Sequence, residues 1–188
     1  AHSFVRGNWR NQSEACPMIL AKCCHDFDIL LWLCGKKCER VSSFGDLRLF
    51  KKSNAPEGAT QRCTDGCPYV DSCAYSAPRY YLGQLRDGKT GWPVNILNSH
   101  PTEENIMEAL KTGPYGRCVY HCDNDVVDHQ VVNMQLEDGT TINFTMCAFT
   151  KNGFRKLRIM GTLGEIEGDM ETNRIYLKPF AGETTEID

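Results

Sequence analysis

Lys22, His25 and Asp28 follow one another at intervals of three, so on a helix they project from neighbouring positions on one side. The combination suits proton transfer: imidazole titrates nearest neutrality, and a carboxylate and an ammonium beside it tune or orient it. A polar strip of this kind is equally ordinary on a solvated helix, because the apolar face runs through Cys24, Phe27 and Leu31. Cys24 beside His25 is no nucleophile and base pair, since adjacent helical residues point about 100° apart. A second constellation is Cys63-x3-Cys67-x5-Cys73. Thiolates at this spacing can face one ion, and a structural zinc takes four ligands in a tetrahedron, for which Cys118, His121 and Cys122 are candidate fourth members. Reduced structural thiols are the alternative. A third pattern, Gly83 to Thr90, matches Gly-x4-Gly-Lys-Thr. A phosphate loop needs a buried strand before it and a helix starting at Lys-Thr, whereas Gly91-Trp92-Pro93 follows here at once. The context rules the nucleotide reading out.

The elements that must carry these residues are legible from periodicity. Leu20, Cys24, Phe27, Leu31 and Cys34 recur at helical spacing and predict one helix over 18–34, stopped by Gly35. Residues 39–50 alternate as a strand. From Lys51 to Asn98 the chain is rich in proline, glycine and cysteine, which predicts an irregular excursion held by something other than a large core of its own. Pro101-Thr102-Glu103-Glu104 opens a second helix with Ile106, Met107 and Leu110 on one face, ended by Gly113-Pro114. Strands follow at 130–136 and 141–149 around the turn Asp138-Gly139, then at 156–160, 164–170 and 174–177. Helices first and a meander afterwards give an α+β class: a broad, mostly antiparallel open sheet with helices packed on one face.

With 188 residues the chain is one domain's worth, and 21 Lys plus Arg against 24 Asp plus Glu leave a formal charge of −3. No bulk field exists to hold nucleic acid, and no apolar run is long enough to cross a membrane. The 11 cysteines read as mostly free thiols of a reducing, cytoplasmic setting. The chain begins within Ala1-His2-Ser3-Phe4 without a start methionine or a capping signal, which predicts a domain cut from a longer protein.

Leu20 to Gly35 closely resembles the His-x-x-Asp-x3-Trp-Leu-x-Gly segment of the glucose-fructose oxidoreductase, inositol dehydrogenase and rhizopine-catabolism (Gfo/Idh/MocA) oxidoreductases. Ser3 to Arg10 looks like the loop on the substrate side of that helix in sugar-acting members. Asp128-His129-Gln130-Val131-Val132 and Gly161 to Asp169 look like later strands of the family's sheet. The resemblance spans most of residues 3–180, and the cysteine-rich stretch resembles an insertion of some relatives only. It implies a C-terminal substrate and dimerisation domain of an NAD- or NADP-dependent enzyme acting on a sugar, polyol or related hydroxy compound. His25 would be the catalytic acid and base, with Lys22 and Asp28 assisting, and Asn8, Trp9 and Arg10 would contact substrate. Many relatives carry Asp four residues before the histidine, where this chain has Ala21, which makes Lys22 the substitute. No two glycines stand two apart, so Gly-x-Gly-x-x-Gly cannot be formed, and the family's Glu-Lys-Pro is missing. The cofactor would therefore sit on an N-terminal Rossmann domain outside this chain, and the chain alone would be inactive. A homodimer through the sheet is implied as well. The competing class is a non-enzymatic, zinc-clipped interaction module built on Cys63, Cys67 and Cys73.

Overall fold

The computed structural model describes residues 2–187. Two compact units share the chain, one up to Phe149 and one from Thr150 onward. In the first, helices α1 (Met18–Ala21), α2 (Cys24–Cys34), α3 (Ala77–Arg86) and α4 (Glu103–Thr112) accompany strands β1 (Cys38–Asp46), β2 (His129–Leu136) and β3 (Thr141–Cys147). The second holds β4 (Lys156–Met160), β5 (Gly164–Asp169), β6 (Arg174–Pro179) and β7 (Thr185–Ile187).

Local chemistry explains most boundaries. At the start of α4 the Thr102 hydroxyl accepts from the Asn105 N–H at 3.3 Å while the Asn105 side chain accepts from the Thr102 N–H at 2.8 Å, a reciprocal cap. Helix α3 starts at Ser76, whose hydroxyl accepts from the Arg79 N–H. Ala77, Tyr81 and Leu82 of α3 pack with Val94 and with Ile106 and Leu110 of α4 to form the main core. The 51–98 stretch is thus not a plain excursion: it contains α3, and that helix supplies half of this core. A smaller cluster joins Val5, Phe50 and Val119.

Strands β1, β2 and β3 pair antiparallel in that order, with Val41 opposite Met134 and Met134 opposite Ile142. The turn between β2 and β3 uses Gly139 at φ 86°, a left-handed conformation that other residues adopt at a cost. Val132, Met134, Leu136 and Met146 are buried on one face, which α2 meets through Phe27, its ring centroid 4.8 Å from that of Phe144. Edge strand β1 is exposed along its whole length.

Strands β4 to β7 form a separate four-stranded antiparallel sheet in sequence order. Its register places Leu157, Ile159, Ile166, Ile175, Leu177 and Ile187 on one face. The other face carries the ion pairs Lys156–Asp169, Arg158–Glu165, Lys178–Glu167 and Arg174–Glu186. The α+β class stands, but the expected single broad sheet is two sheets. Alternation identifies strands without saying which of them share hydrogen bonds.

Candidate functional site

The expected helix over 18–34 is interrupted where the chemistry was placed. Helix α1 ends at Ala21, and Lys22 leaves helical geometry with φ −131°. The N–H groups of Lys22 and Cys23 share the Met18 carbonyl at 3.0 and 3.1 Å, and the ladder is regular again only at Phe27, which donates to the Cys23 carbonyl. Cys, His and Asp are weak helix formers, so Cys23-Cys24-His25-Asp26 offers little resistance to the break. Lys22 therefore does not share a helix face with His25 and Asp28, as the spacing alone implies. The break also changes what is buried: Cys23 is 4% exposed, whereas Cys24 and Leu20 face solvent. Helix α2 then runs to Cys34 and stops at Gly35, whose φ of 62° is the left-handed cap the sequence anticipates.

Lys22 is brought instead to the loop before the helices. Its Nζ lies 5.5 Å from the Trp9 ring centroid, a cation held over an aromatic face. Trp9 is stacked on Phe4, centroids 5.7 Å apart. His25 and Asp28 are exposed on α2, in its first and second turns, and Asn8 is exposed in the loop. The structure brings Lys22 and Trp9 together; among the described residues no hydrogen bond links the side chains of Lys22, His25 and Asp28.

The loop is anchored at two arginines. Arg6, only 3% exposed, donates from Nε to the Arg117 carbonyl at 2.6 Å and from Nη2 to the Tyr75 carbonyl at 2.7 Å. Gly7 follows in a turn so tight that a Cβ would sit 2.9 Å from the Ser3 carbonyl oxygen. Arg10 grips Asp123 with Nε and Nη2 at 2.8 and 3.1 Å, and Glu14 with Nη1 and Nη2 at 2.8 and 3.1 Å. Arg117 adds a further bond to Asp123 Oδ1 at 2.7 Å. The Arg10 hydrogen bond holds the Asp123 carboxyl far below the usual carboxylate range, and Asp123 in turn raises Arg10. Asp123, Glu14 and Arg117 were not among the site residues read from the sequence, and no local pattern marks them, since Asp123 lies 113 positions from Arg10.

Beside this clamp Asn124 is buried with Nδ2 and Oδ1 both unpaired. Three residues beyond the Asp123–Asp125 stretch, buried Asp128 makes a second anchor. Its carboxylate accepts from the backbone N–H groups of Arg48, Leu49 and Phe50 and faces His129 Nδ1 at 2.9 Å.

The cysteine constellation is not assembled as a metal site. Among the described residues no group of three or more His, Cys, Asp or Glu side chains is placed to hold an ion. Cys63 Sγ instead takes a contact from Arg6 Nη2 at 3.7 Å, and Cys73 Sγ accepts from the Tyr75 N–H at 3.3 Å. Burial pushes the Cys118 thiol up. Among the described residues no disulfide joins any two of the eleven cysteines. Spacing put Cys63, Cys67 and Cys73 near one another in sequence, but only the tertiary path decides whether their sulfurs converge. The phosphate-loop pattern is likewise no loop, because Gly83 to Arg86 are the last turn of α3.

A family model described as "Oxidoreductase family, C-terminal alpha/beta domain" matches residues 1–186. No curated protein matches the chain. No described helix is long and apolar enough to cross a membrane.

Proposed function

Because the chain belongs to this family, the C-terminal α/β domain of an oxidoreductase family, we propose that it is the substrate-binding and dimerisation domain of an NAD- or NADP-dependent enzyme acting on a sugar, polyol or related hydroxy compound. The observation that carries the reading is the Lys22 ammonium over Trp9, immediately before a helix whose first turn exposes His25.

The residues described here do not fit a dinucleotide. Every paired strand is antiparallel, so no parallel-sheet switch point with a glycine turn is available to receive a pyrophosphate. The nicotinamide is assigned to a Rossmann domain of the parent enzyme, and no step here runs through it.

What this chain supplies is proton handling and orientation. The His25 imidazole takes the hydroxyl proton when a carbinol is oxidised and returns it in the reverse direction. Lys22, pinned by Trp9, presents a fixed positive charge beside the oxygen on which negative charge develops. Asp28, one turn on from His25 along α2, tunes the imidazole through its negative charge, and the exposed Asn8 amide hydrogen-bonds substrate hydroxyls.

The test is made on the full-length enzyme. His25→Ala lowers kcat by ~10²–10⁴, the contribution of a positioned general acid or base. An unchanged kcat over about pH 6 to 9 would return His25 to the status of an ordinary surface histidine. Titration calorimetry on this chain alone should give no heat with NAD or NADP. Micromolar binding would overturn the assignment of the cofactor to another domain.

A further inference from the structure

We infer that Arg10 is a positioning residue: clamped by Asp123 and Glu14, it fixes the loop that carries Asn8 and Trp9, and through Trp9 the ammonium of Lys22. The inference deepens the proposed function, because it rests on Trp9 and Lys22 being site residues.

A guanidinium has five N–H donors and no acceptor. In Arg10 the Nε donor goes to Asp123 Oδ1, the Nη1 pair to Glu14 Oε2 and the Gly7 carbonyl, and the Nη2 pair to Asp123 Oδ2 and Glu14 Oε1. None is left for a substrate oxygen. The Arg10 side chain is 14% exposed, and the two bidentate forks hold it rigidly where a single point charge would swivel.

The acceptors are tied down in turn. Arg117 bonds Asp123 Oδ1 and donates to the Arg6 carbonyl at 3.0 Å. Asn11 Nδ2 donates to the Asp123 carbonyl, the Gln12 N–H to Asp125 Oδ1, and the Asp125 N–H to the Arg10 carbonyl. The loop from Arg6 to Gln12 is thereby fastened on both sides of Asn8 and Trp9, while those two side chains make no polar bond to the clamp. Its fastening determines where the indole stands, and the indole determines where Lys22 Nζ rests.

The test is fluorine NMR of the chain labelled with 5-fluorotryptophan, whose three indoles give three resonances, with Trp9→Phe identifying one. Arg10→Lys keeps the charge and loses the forks; Asp123→Asn keeps the shape and loses the charge. Each is expected to shift the Trp9 resonance, leave Trp32 and Trp92 in place, and abolish the further shift that Lys22→Met causes in the unaltered chain. Asp123→Glu should restore part of that response. A Trp9 resonance indifferent to both variants overturns the clamp, as does a Lys22→Met shift that survives them. Movement of all three resonances together also overturns it, because the pairs would then stabilise the fold at large. Turnover is not read, so failure of the clamp leaves the assignment of His25 standing, and an unchanged kcat in His25→Ala leaves the clamp standing.

Discussion

Replacing Asp128 by asparagine removes one charge and almost no volume. The carboxylate is 2% exposed and fastens the segment after β1 to the start of β2. One oxygen accepts from the Leu49 N–H at 2.6 Å and the Phe50 N–H at 3.2 Å, the other faces His129 Nδ1 at 2.9 Å, and the Arg48 N–H lies 3.1 Å from both. An amide keeps one acceptor and turns the other into a donor aimed at donors. At least one charge-assisted bond worth ~1.5–3 kcal/mol is lost and one N–H is left unmet, so the expected cost is about 3 kcal/mol. With a urea slope of ~2 kcal/mol/M, the midpoint should fall by about 1.5 M while the chain, starting from ~5–15 kcal/mol, still folds.

The pH dependence supplies a second check. Burial pushes the Asp128 carboxyl up, but His129 and the three backbone N–H groups outweigh it and hold the group below its ordinary value. A carboxyl depressed on folding contributes stability that is fully present above its unfolded value of ~3.9 and is lost as pH falls through the native value. The deficit of Asp128→Asn should therefore be full near neutrality and shrink below about pH 4. Urea unfolding followed by circular dichroism at several pH values measures both. A midpoint within about 0.3 M of the unaltered chain, or a deficit that persists unchanged to about pH 3, would refute the reasoning.

Leu110→Ala, in the fully buried contact between α3 and α4, should cost ~2–5 kcal/mol in the same assay, with Met107→Ala on the half-buried flank costing less. His2, whose pKa burial lowers to about 4 against Tyr81 and Tyr115, stays neutral in the fold while the unfolded chain takes up a proton below ~6.5. Stability should thus decline as pH falls from ~6.5 toward about 4, and His2→Phe should flatten that part of the curve in thermal melts across pH. In the full-length enzyme Asp28→Asn should lower kcat less than His25→Ala does, since Asp28 tunes the imidazole by charge without carrying the proton; an equal loss in steady-state rates would contradict that division of roles. Light scattering on the chain should give twice 21.2 kDa, as a homodimer through sheet surface requires, and a monomer at high concentration would remove the dimerisation part of the proposal.

Elements whose causes are local could be read directly from residues. Thr102 and Asn105 cap α4 and Gly113 ends it, and Asp138-Gly139 turns β2 into β3. The strand expected at 156–160 is β4 to the residue. Along β3 the alternation of Ile142, Phe144 and Met146 with Thr141, Asn143 and Thr145 anticipates the more and less buried faces. Helix α3 had a signal that the composition masked: Ser76 is its cap and Ala77, Tyr81 and Leu85 recur at intervals of four, but the surrounding prolines and glycines made the whole stretch read as irregular.

The site divides in the same way. Residue type and order are enough to name Lys22, His25 and Asp28 as candidates for proton handling, and to argue against a phosphate loop at Gly83 to Thr90, because titration range and turn chemistry belong to the residues themselves. Only the tertiary structure decided that the helix breaks at Lys22, that its ammonium goes to Trp9, that Cys63, Cys67 and Cys73 do not converge, and that Arg10 spends every donor on Asp123, Glu14 and Gly7. Each of these outcomes depends on a partner distant in sequence or on the path between them. A one-dimensional pattern states which groups are able to meet, while packing and strand pairing determine which ones do.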